Sequence, residues 1–173
     1  MGKRRKGDTE TWRYKDTERG KMGSHILKLT IDLIPKSCWN ANIREHMAKS
    51  NWNKLQKEVL KKANNTCEIC GSNRKVGCHE VWQYDDKQRT QKLKGFKSIC
   101  RMCRYVEHFE MSQVLALKGY LNLNEIIKHF CKVNSVSWDE FNKHKEKVFA
   151  KWKERSVDKW KTDFGKWSEL ITK

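Results

Sequence analysis

Residues 67–103 read CEICGSNRKVGCHEVWQYDDKQRTQKLKGFKSICRMC, and this stretch decides the fold of the chain. It begins and ends with a Cys-x-x-Cys pair, Cys67 with Cys70 and Cys100 with Cys103. This spacing lets both thiolates of a pair bind one metal ion, and two pairs complete a tetrahedral site. We therefore predict a structural Zn(II) ion bound by these four cysteines, because no coordination position stays open for chemistry.

The other cysteines are not expected to bind metal. The chain contains 7 cysteines, and an odd number without an evident signal peptide argues against a disulfide framework. Cys38, Cys78 and Cys131 are predicted to be small buried hydrophobic residues. A redox pair is the alternative to zinc, but a thioredoxin-like context is missing. A reducing compartment, the cytoplasm, is the expected location.

The chain is strongly basic. Its 173 residues include 38 Lys and Arg against 21 Asp and Glu, a formal net charge of +17. That length suits one domain, with or without extended arms. No segment approaches the roughly 18 apolar residues that a membrane span needs, so we expect no membrane partner. The charge favours nucleic acid as the partner, over the plainer alternative of a soluble basic protein.

The basic residues cluster in the second half of the quoted stretch and just after it. Every charged residue from position 87 to position 104 is basic. These candidate nucleic-acid-binding residues are Lys87, Arg89, Lys92, Lys94, Lys97, Arg101 and Arg104. We expect them to contact phosphates, which gives salt-dependent affinity without reading base sequence.

Hydrophobic periodicity predicts an α+β protein with a hairpin between the cysteine pairs. Residues 75–84 and 95–99 read as strands, with Asp85 and Asp86 in the turn between them and a helix from Met102 onward. The order of knuckle, strand, loop, strand, knuckle and helix is that of a treble-clef (ββα-metal) zinc centre. We expect flanking helices and a short N-terminal strand around it.

Three parts of the chain are predicted. Residues 1–23 form a basic N-terminal arm. Residues 24–135 form the zinc-stapled domain, which starts with a strand over residues 26–34 because its apolar side chains alternate. Residues 136–173 form a basic, Trp-rich helical extension packed on that domain.

Helices are predicted on both sides of the zinc stretch. The predicted helical segments are 38–48, a stretch that follows Ser50 and ends near Asn64-Asn65, and 124–133. Ser137 and Glu140 form a capping box that starts the next helix. Trp160, Phe164 and Trp167 recur at helical spacing and are expected to continue the helical extension.

Histidines and carboxylates near the knuckles could carry out hydrolysis. Cleavage of a phosphodiester needs a general base and a cation that stabilises the leaving oxygen. His79 is a candidate base, and His108 with Asp85 or Asp86 could hold a cation. Alternatively, His79 hydrogen-bonds to backbone, His108 lies on a helix surface and the aspartates only form the turn. Glu80 is expected to point away from His79 if the strand is regular.

The same residues resemble a known enzyme family. CEICG, CHEVWQYDD and LKGFKSICRMCRYVEH resemble the HNH (ββα-metal, treble-clef) endonucleases, above all a bacterial and phage subgroup with an H-E-x-W-x-Y-D-D tract. Further matches to that subgroup are Gln91, Leu93, Gly95 and Phe96. The similarity extends over about residues 24–167 and takes in Cys38-Trp39 and His129…Val133-Asn134.

The resemblance implies a metal-dependent endonuclease that cleaves DNA rather than RNA. It would make His79 the general base and the four cysteines the zinc ligands. It would make His108, with Asp85 or Asp86, a ligand of a catalytic Mg(II) or Mn(II) ion. Such an enzyme would act at the nucleoid or in a phage-infected cell.

One position departs from the family pattern. The family has a histidine directly after the second cysteine pair, and in many members it binds the catalytic metal, but this chain has Arg104. An arginine carries a permanent charge and does not bind cations. The alternative function is a catalytically degenerate scaffold that binds nucleic acid or a nucleoprotein complex, containing a polymerase or a defence enzyme, without cleaving it.

Overall fold

The computed structural model describes residues 21–22 and 25–171, so most of the predicted arm over residues 1–23 lies outside the described residues. Within them the fold is mixed α and β, as predicted. The strands are β1 (Lys21–Met22), β2 (His25–Ile26), β3 (Val76–Asp85), β4 (Thr90–Cys100) and β5 (Lys161–Asp163). The helices are α1 (Ile43–His46), α2 (Lys49–Lys62), α3 (Arg101–Glu107), α4 (Phe109–Leu117), α5 (Leu123–Asn134) and α6 (Trp138–Arg155). None of the helices described is long and apolar enough to span a bilayer.

The predicted hairpin is present and longer than expected. β3 and β4 pair antiparallel from Val76↔Cys100 to Asp85↔Thr90, with a bulge between Val81 and Trp82. β4 starts at Thr90, well before residue 95. The sequence pattern misses this part of the strand because one of its buried residues, Gln91, is polar. β5 extends the sheet by pairing parallel to the start of β4.

Two hydrophobic clusters hold the elements around this hairpin. The smaller one joins α2 to the sheet through Trp52, whose ring meets Phe96 edge-on, and includes the cross-strand pair Trp82 and Leu93. The larger one contains three of the four cysteines predicted to bind zinc, together with the apolar faces of α3, α5 and α6. The cysteine site is therefore part of the main core.

The strand predicted over residues 26–34 is wrong beyond Ile26. Its alternating side chains are buried as expected, namely Leu27, Leu29, Ile31 and Leu33. The backbone of this segment, however, bonds to helices instead of a neighbouring strand, mostly through helix side chains and once through the Glu107 carbonyl, which accepts from the Asp32 N–H. Asn134 accepts from the N–H of Lys28 and Leu29 and donates to the Leu29 carbonyl, and His144 Nε2 accepts from Ile31. Alternation reports which side chains are buried, not what the backbone pairs with.

The helices after the second knuckle differ from the prediction in two places. The helix expected from Met102 is interrupted at His108, where the backbone turns (φ −97°, ψ 56°), and resumes as α4. The capping box of Ser137 and Glu140 is confirmed at the start of α6.

The C-terminal extension is helical only as far as Arg155. Trp160 precedes β5, and Phe164 and Trp167 bracket the start of a 3-10 turn over Gly165–Leu170. The helical continuation predicted from their spacing is wrong, because these rings turn back onto the hairpin. Phe164 packs against Trp82 there, and Trp167 packs against Phe96.

Candidate metal centre and histidine site

The four cysteines of the two pairs meet in space. The first pair lies in a tight turn before β3, and the second lies where β4 passes into α3. Cys67 Sγ is 3.7 Å from Cys103 Sγ, and Cys70 Sγ is 3.6 Å from Cys100 Sγ. All four sulfurs lie within 4.8 Å of one another. Among the residues that the structure describes, this is the one cluster of His, Cys, Asp or Glu close enough to hold a metal ion.

The donor set fits zinc. Four sulfurs about 2.3 Å from one tetrahedral ion are about 3.8 Å apart, close to the spacing seen here. Without an ion the site favours one thiolate and not four, because the hydrogen bond with Cys103 lowers the pKa of Cys67 to about 4 while burial raises the pKa of Cys70 to about 11. The pKa of Cys103 is also raised, first by the neighbouring Cys67 thiol and then by burial. A cation such as Zn(II) offsets the charge of four thiolates, and the cluster could hold one as a closed structural site.

His79 lies on β3 and contacts a buried carboxylate of α3. Its Nε2 is 3.2 Å from Oε2 of Glu107, whose side chain is only 5 % exposed. The other Glu107 oxygen accepts from the ammonium of Lys97, the residue paired with His79 across the hairpin. A carboxylate accepts only from a protonated Nε2, so in neutral His79 this contact leaves Nδ1 as the basic nitrogen.

The charges in this cluster stabilise one another. Burial opposes ionisation of Glu107, but the Lys97 charge and the His79 contact outweigh it and lower the pKa of Glu107 to about 2. The His108 ring stands edge-on to His79 with 4.9 Å between centroids. Burial, with repulsion from His79 whenever that ring is protonated, lowers the pKa of His108 to about 4, so His108 is neutral at neutral pH.

The predicted carboxylates occupy different places. Asp85 Oδ1 accepts from the backbone N–H groups of Lys87 and Gln88 and so shapes the hairpin turn. Asp86 binds Arg155 through two 2.8 Å contacts, and the Arg155 hydrogen bond lowers the pKa of Asp86. Asp85 stands six positions along β3 from His79, about 20 Å at the usual rise. The structure therefore does not bring either aspartate to the two histidines.

Glu80 is closer to the histidine site than expected. Its Oε2 lies 3.7 Å from Nδ1 of His79, although alternation along a regular strand separates the two side chains. The bulge does not explain this, because its extra residue, Lys94, lies on β4 and leaves the pairing of His79 and Glu80 regular.

The basic residues fall into two groups. Three of them form ion pairs. Arg89 pairs with Asp158 and Lys92 with Asp163, both at the surface, and Lys97 pairs with the buried Glu107. The described residues provide no ion pair for four further bases, all exposed, namely Lys87, Lys94, Arg101 and Arg104. Arg104 lies one turn before His108, whose backbone N–H bonds to the Arg104 carbonyl.

Two residues of these sites were not found from the sequence. Glu107 precedes the candidate His108, but its contact with His79 depends on α3 folding back against the hairpin. His129 on α5 places Nε2 3.2 Å from Cys103 Sγ. Both contacts join segments far apart in the chain, and no spacing rule in the sequence reveals them.

Comparison of the chain with models of known protein families, with curated proteins and with solved structures finds no match in any of the three. What the described residues show is an α+β protein with a four-cysteine cluster that could hold a metal ion such as zinc.

Proposed function

We propose that this protein is an HNH-like endonuclease that hydrolyses DNA phosphodiester bonds with His79 as general base and with a divalent cation such as Mg(II) or Mn(II). The observation that supports it is the pairing of His79 with Glu107 beside the neutral His108, on a hairpin whose ends carry the four-cysteine cluster. The resemblance to the HNH family points to the same histidine.

His79 can do the work of a base in this arrangement. Glu107 accepts from Nε2–H, so Nδ1, which lies 3.7 Å from Oε2 of Glu80, is the nitrogen that would take a proton from water. As the water oxygen attacks phosphorus, Nδ1 takes the proton and the bond to the leaving oxygen breaks. Lys97 neutralises Glu107, so the carboxylate does not compete for that proton.

The divalent cation needs a carboxylate ligand other than Asp85 or Asp86, the two expected from the sequence. Asp85 and Asp86 cannot bind the same cation as His108, because they lie at the far end of the hairpin. Besides Glu107, which is paired with Lys97, the carboxylate beside His79 is that of Glu80. A bound Mg(II) or Mn(II) ion would supply charge stabilisation at the leaving oxygen.

DNA would lie across the exposed Lys and Arg side chains for which the described residues provide no ion pair. Arg101 and Arg104 are three positions apart on α3 and therefore on one side of that helix. Phosphate contacts from these side chains would place the duplex beside His108. Three residues of the predicted DNA-binding set form ion pairs with carboxylates of this chain instead, namely Arg89, Lys92 and Lys97.

A second candidate function is nucleic-acid binding without cleavage. It is favoured by Arg104, an exposed cation one turn before His108 at the position where the family has a metal-binding histidine. In this case Arg104 would contact phosphate directly. The Lys97–Glu107–His79 cluster would then be a buried structural ion network.

One experiment separates the two functions. Purified protein is incubated with supercoiled plasmid and Mg(II) or Mn(II), beside His79→Ala and the control His46→Ala, which removes an exposed histidine of α1. Nicking that His79→Ala loses and His46→Ala keeps supports the nuclease. Salt-sensitive DNA binding with no nicking under either metal contradicts it and supports the second function.

A further inference from the structure

The α5 helix reaches the four-cysteine cluster from outside both knuckles. His129 on α5 lies 26 residues after Cys103, yet its Nε2 is 3.2 Å from the Cys103 sulfur. That distance suits an N–H to sulfur hydrogen bond. Cys103 is completely buried, so water does not reach its sulfur in place of His129.

The packing of α5 holds His129 at this place. Ile126 and Phe130, on either side of it, are buried in the core that also contains Cys67 and Cys103. Asn134, at the end of the same helix, is fixed by its bonds to Lys28 and Leu29. The position of the imidazole is therefore set by the fold.

A four-thiolate zinc site needs donors of this kind. Four thiolates around one Zn(II) carry two excess negative charges, and burying them is costly unless hydrogen-bond donors reach the sulfurs. The Cys103 backbone N–H reaches Cys100 Sγ at 3.5 Å and supplies one such donor. His129 is placed to supply another from a side chain.

We propose that His129 is an outer-shell residue of the zinc centre, whose Nε2–H donates to the metal-bound thiolate of Cys103 and so couples the docking of α5 to metal binding. Outer-shell partners orient ligands and strengthen metal affinity. The contact does not depend on whether the protein cleaves DNA.

The first test measures zinc affinity of the full chain by competition with a chromophoric chelator. We expect His129→Ala to weaken the affinity about 10- to 100-fold. The matched control is Lys128→Ala, which removes the neighbouring exposed side chain and only its surface pair with Glu125. The control is expected to stay within about twofold of the parent chain. Equal affinity of His129→Ala and the parent overturns the proposal.

The second test uses Co(II) in place of zinc and does not depend on activity. Loss of a donor raises the energy of the sulfur electrons, so the thiolate-to-cobalt band of His129→Ala shifts to longer wavelength. A parent spectrum of three sulfurs and one nitrogen overturns the proposal, because His129 would then be a ligand itself. If His129→Ala does not fold, His129→Gln and His129→Leu are compared instead. A band of His129→Leu at longer wavelength than that of His129→Gln supports the proposal, because only the amide can donate, and equal bands in the two variants overturn it.

Discussion

His79 on β3 and Glu107 on α3 are joined by a 3.2 Å contact between Nε2 and Oε2, and this contact links the hairpin to the helix that follows the second knuckle. Neither residue is exposed, and Lys97 completes the cluster. The two partners come from different elements, so the contact forms only when α3 packs against the hairpin.

Glu107→Gln is expected to slow DNA cleavage by at least about tenfold while leaving DNA affinity unchanged. An amide can accept or donate, so it no longer fixes the proton on Nε2 of His79, and base catalysis of this kind contributes about 10²- to 10⁴-fold. Single-turnover cleavage and equilibrium binding are measured on the same preparations. A parent-like cleavage rate would show that His79 does not need this partner.

Removing one charge of the buried pair should cost more stability than removing both. Glu107→Gln or Lys97→Met alone leaves an uncompensated charge, which typically costs about 3–5 kcal/mol in the free energy of unfolding. The double variant should be less destabilised than the sum of the single variants. Urea unfolding with zinc present gives all the free energies needed, and strictly additive values would contradict the coupling.

Stability is expected to fall as pH drops from about 6.5 toward 4, in part through His144. Its Nε2 accepts from the Ile31 N–H and must stay neutral, and burial lowers the pKa of His144 from 6.5 to about 4. The unfolded chain binds this proton first, so the contribution is complete above about pH 6.5 and is lost as pH falls through about 4. His108, whose pKa is lowered in the same way, adds to the effect.

The variant His144→Gln tests this assignment. The amide oxygen can accept from Ile31 but does not titrate in this range. Thermal unfolding is followed between pH 7 and pH 4 for both proteins, and the difference between them removes any common effect of zinc loss. We expect a lower but flatter stability profile for the variant. Parallel profiles would exclude His144 as a source of the pH dependence.

Chelation of zinc should unfold the main core. Cys67 and Cys103 are buried within the larger hydrophobic cluster, so we expect binding of a metal ion there to be coupled to folding. Cys103→Ser is expected to lose the bound metal and most of the thermal stability. Cys131→Ser, which leaves the four-cysteine cluster unchanged, is expected to keep both. Metal content by mass spectrometry and unfolding by circular dichroism report the result. Zinc retained by Cys103→Ser would exclude this ligand set.

Arg104→Ala is expected to weaken DNA binding at all sequences and to reduce the slope of log affinity against log salt by about one. Lys118→Ala, an exposed base beyond α4, is the control and should change neither quantity. Fluorescence anisotropy over a salt series measures both. An unchanged slope would place Arg104 outside the DNA contact.

A related variant, Arg104→His, separates the two proposed functions. It restores the residue type of the family pattern. Metal-dependent cleavage that appears only in this variant would support a degenerate parent protein. Cleavage by the parent that Arg104→His does not abolish would support the nuclease.

The sequence was informative where structure is local. Cysteine spacing indicated the cluster, turn residues indicated the hairpin, and Ser137 with Glu140 marked the start of α6. These features depend on residues close together in the chain, so a pattern can reveal them.

Long-range pairing could not be read in the same way. The alternation of Leu27 and Leu29 identified buried side chains but not the helices that receive the backbone. The spacing of Trp160 and Phe164 is typical of a helix, but both rings pack on the hairpin and the backbone there is not α-helical. Contacts such as His79 with Glu107 depend on tertiary structure alone, and the sequence does not show the bulge in the pairing of β3 with β4.

The attachment of residues 27–33 to helix side chains has a consequence for the order of folding. Its bonds to Asn134 and His144 span 105 to 113 residues of chain, and those partners stand on α5 and α6. Closing such long loops is entropically costly and slow. We expect this segment to dock last, after the helices have assembled, and its amide protons to exchange with solvent before those of the hairpin.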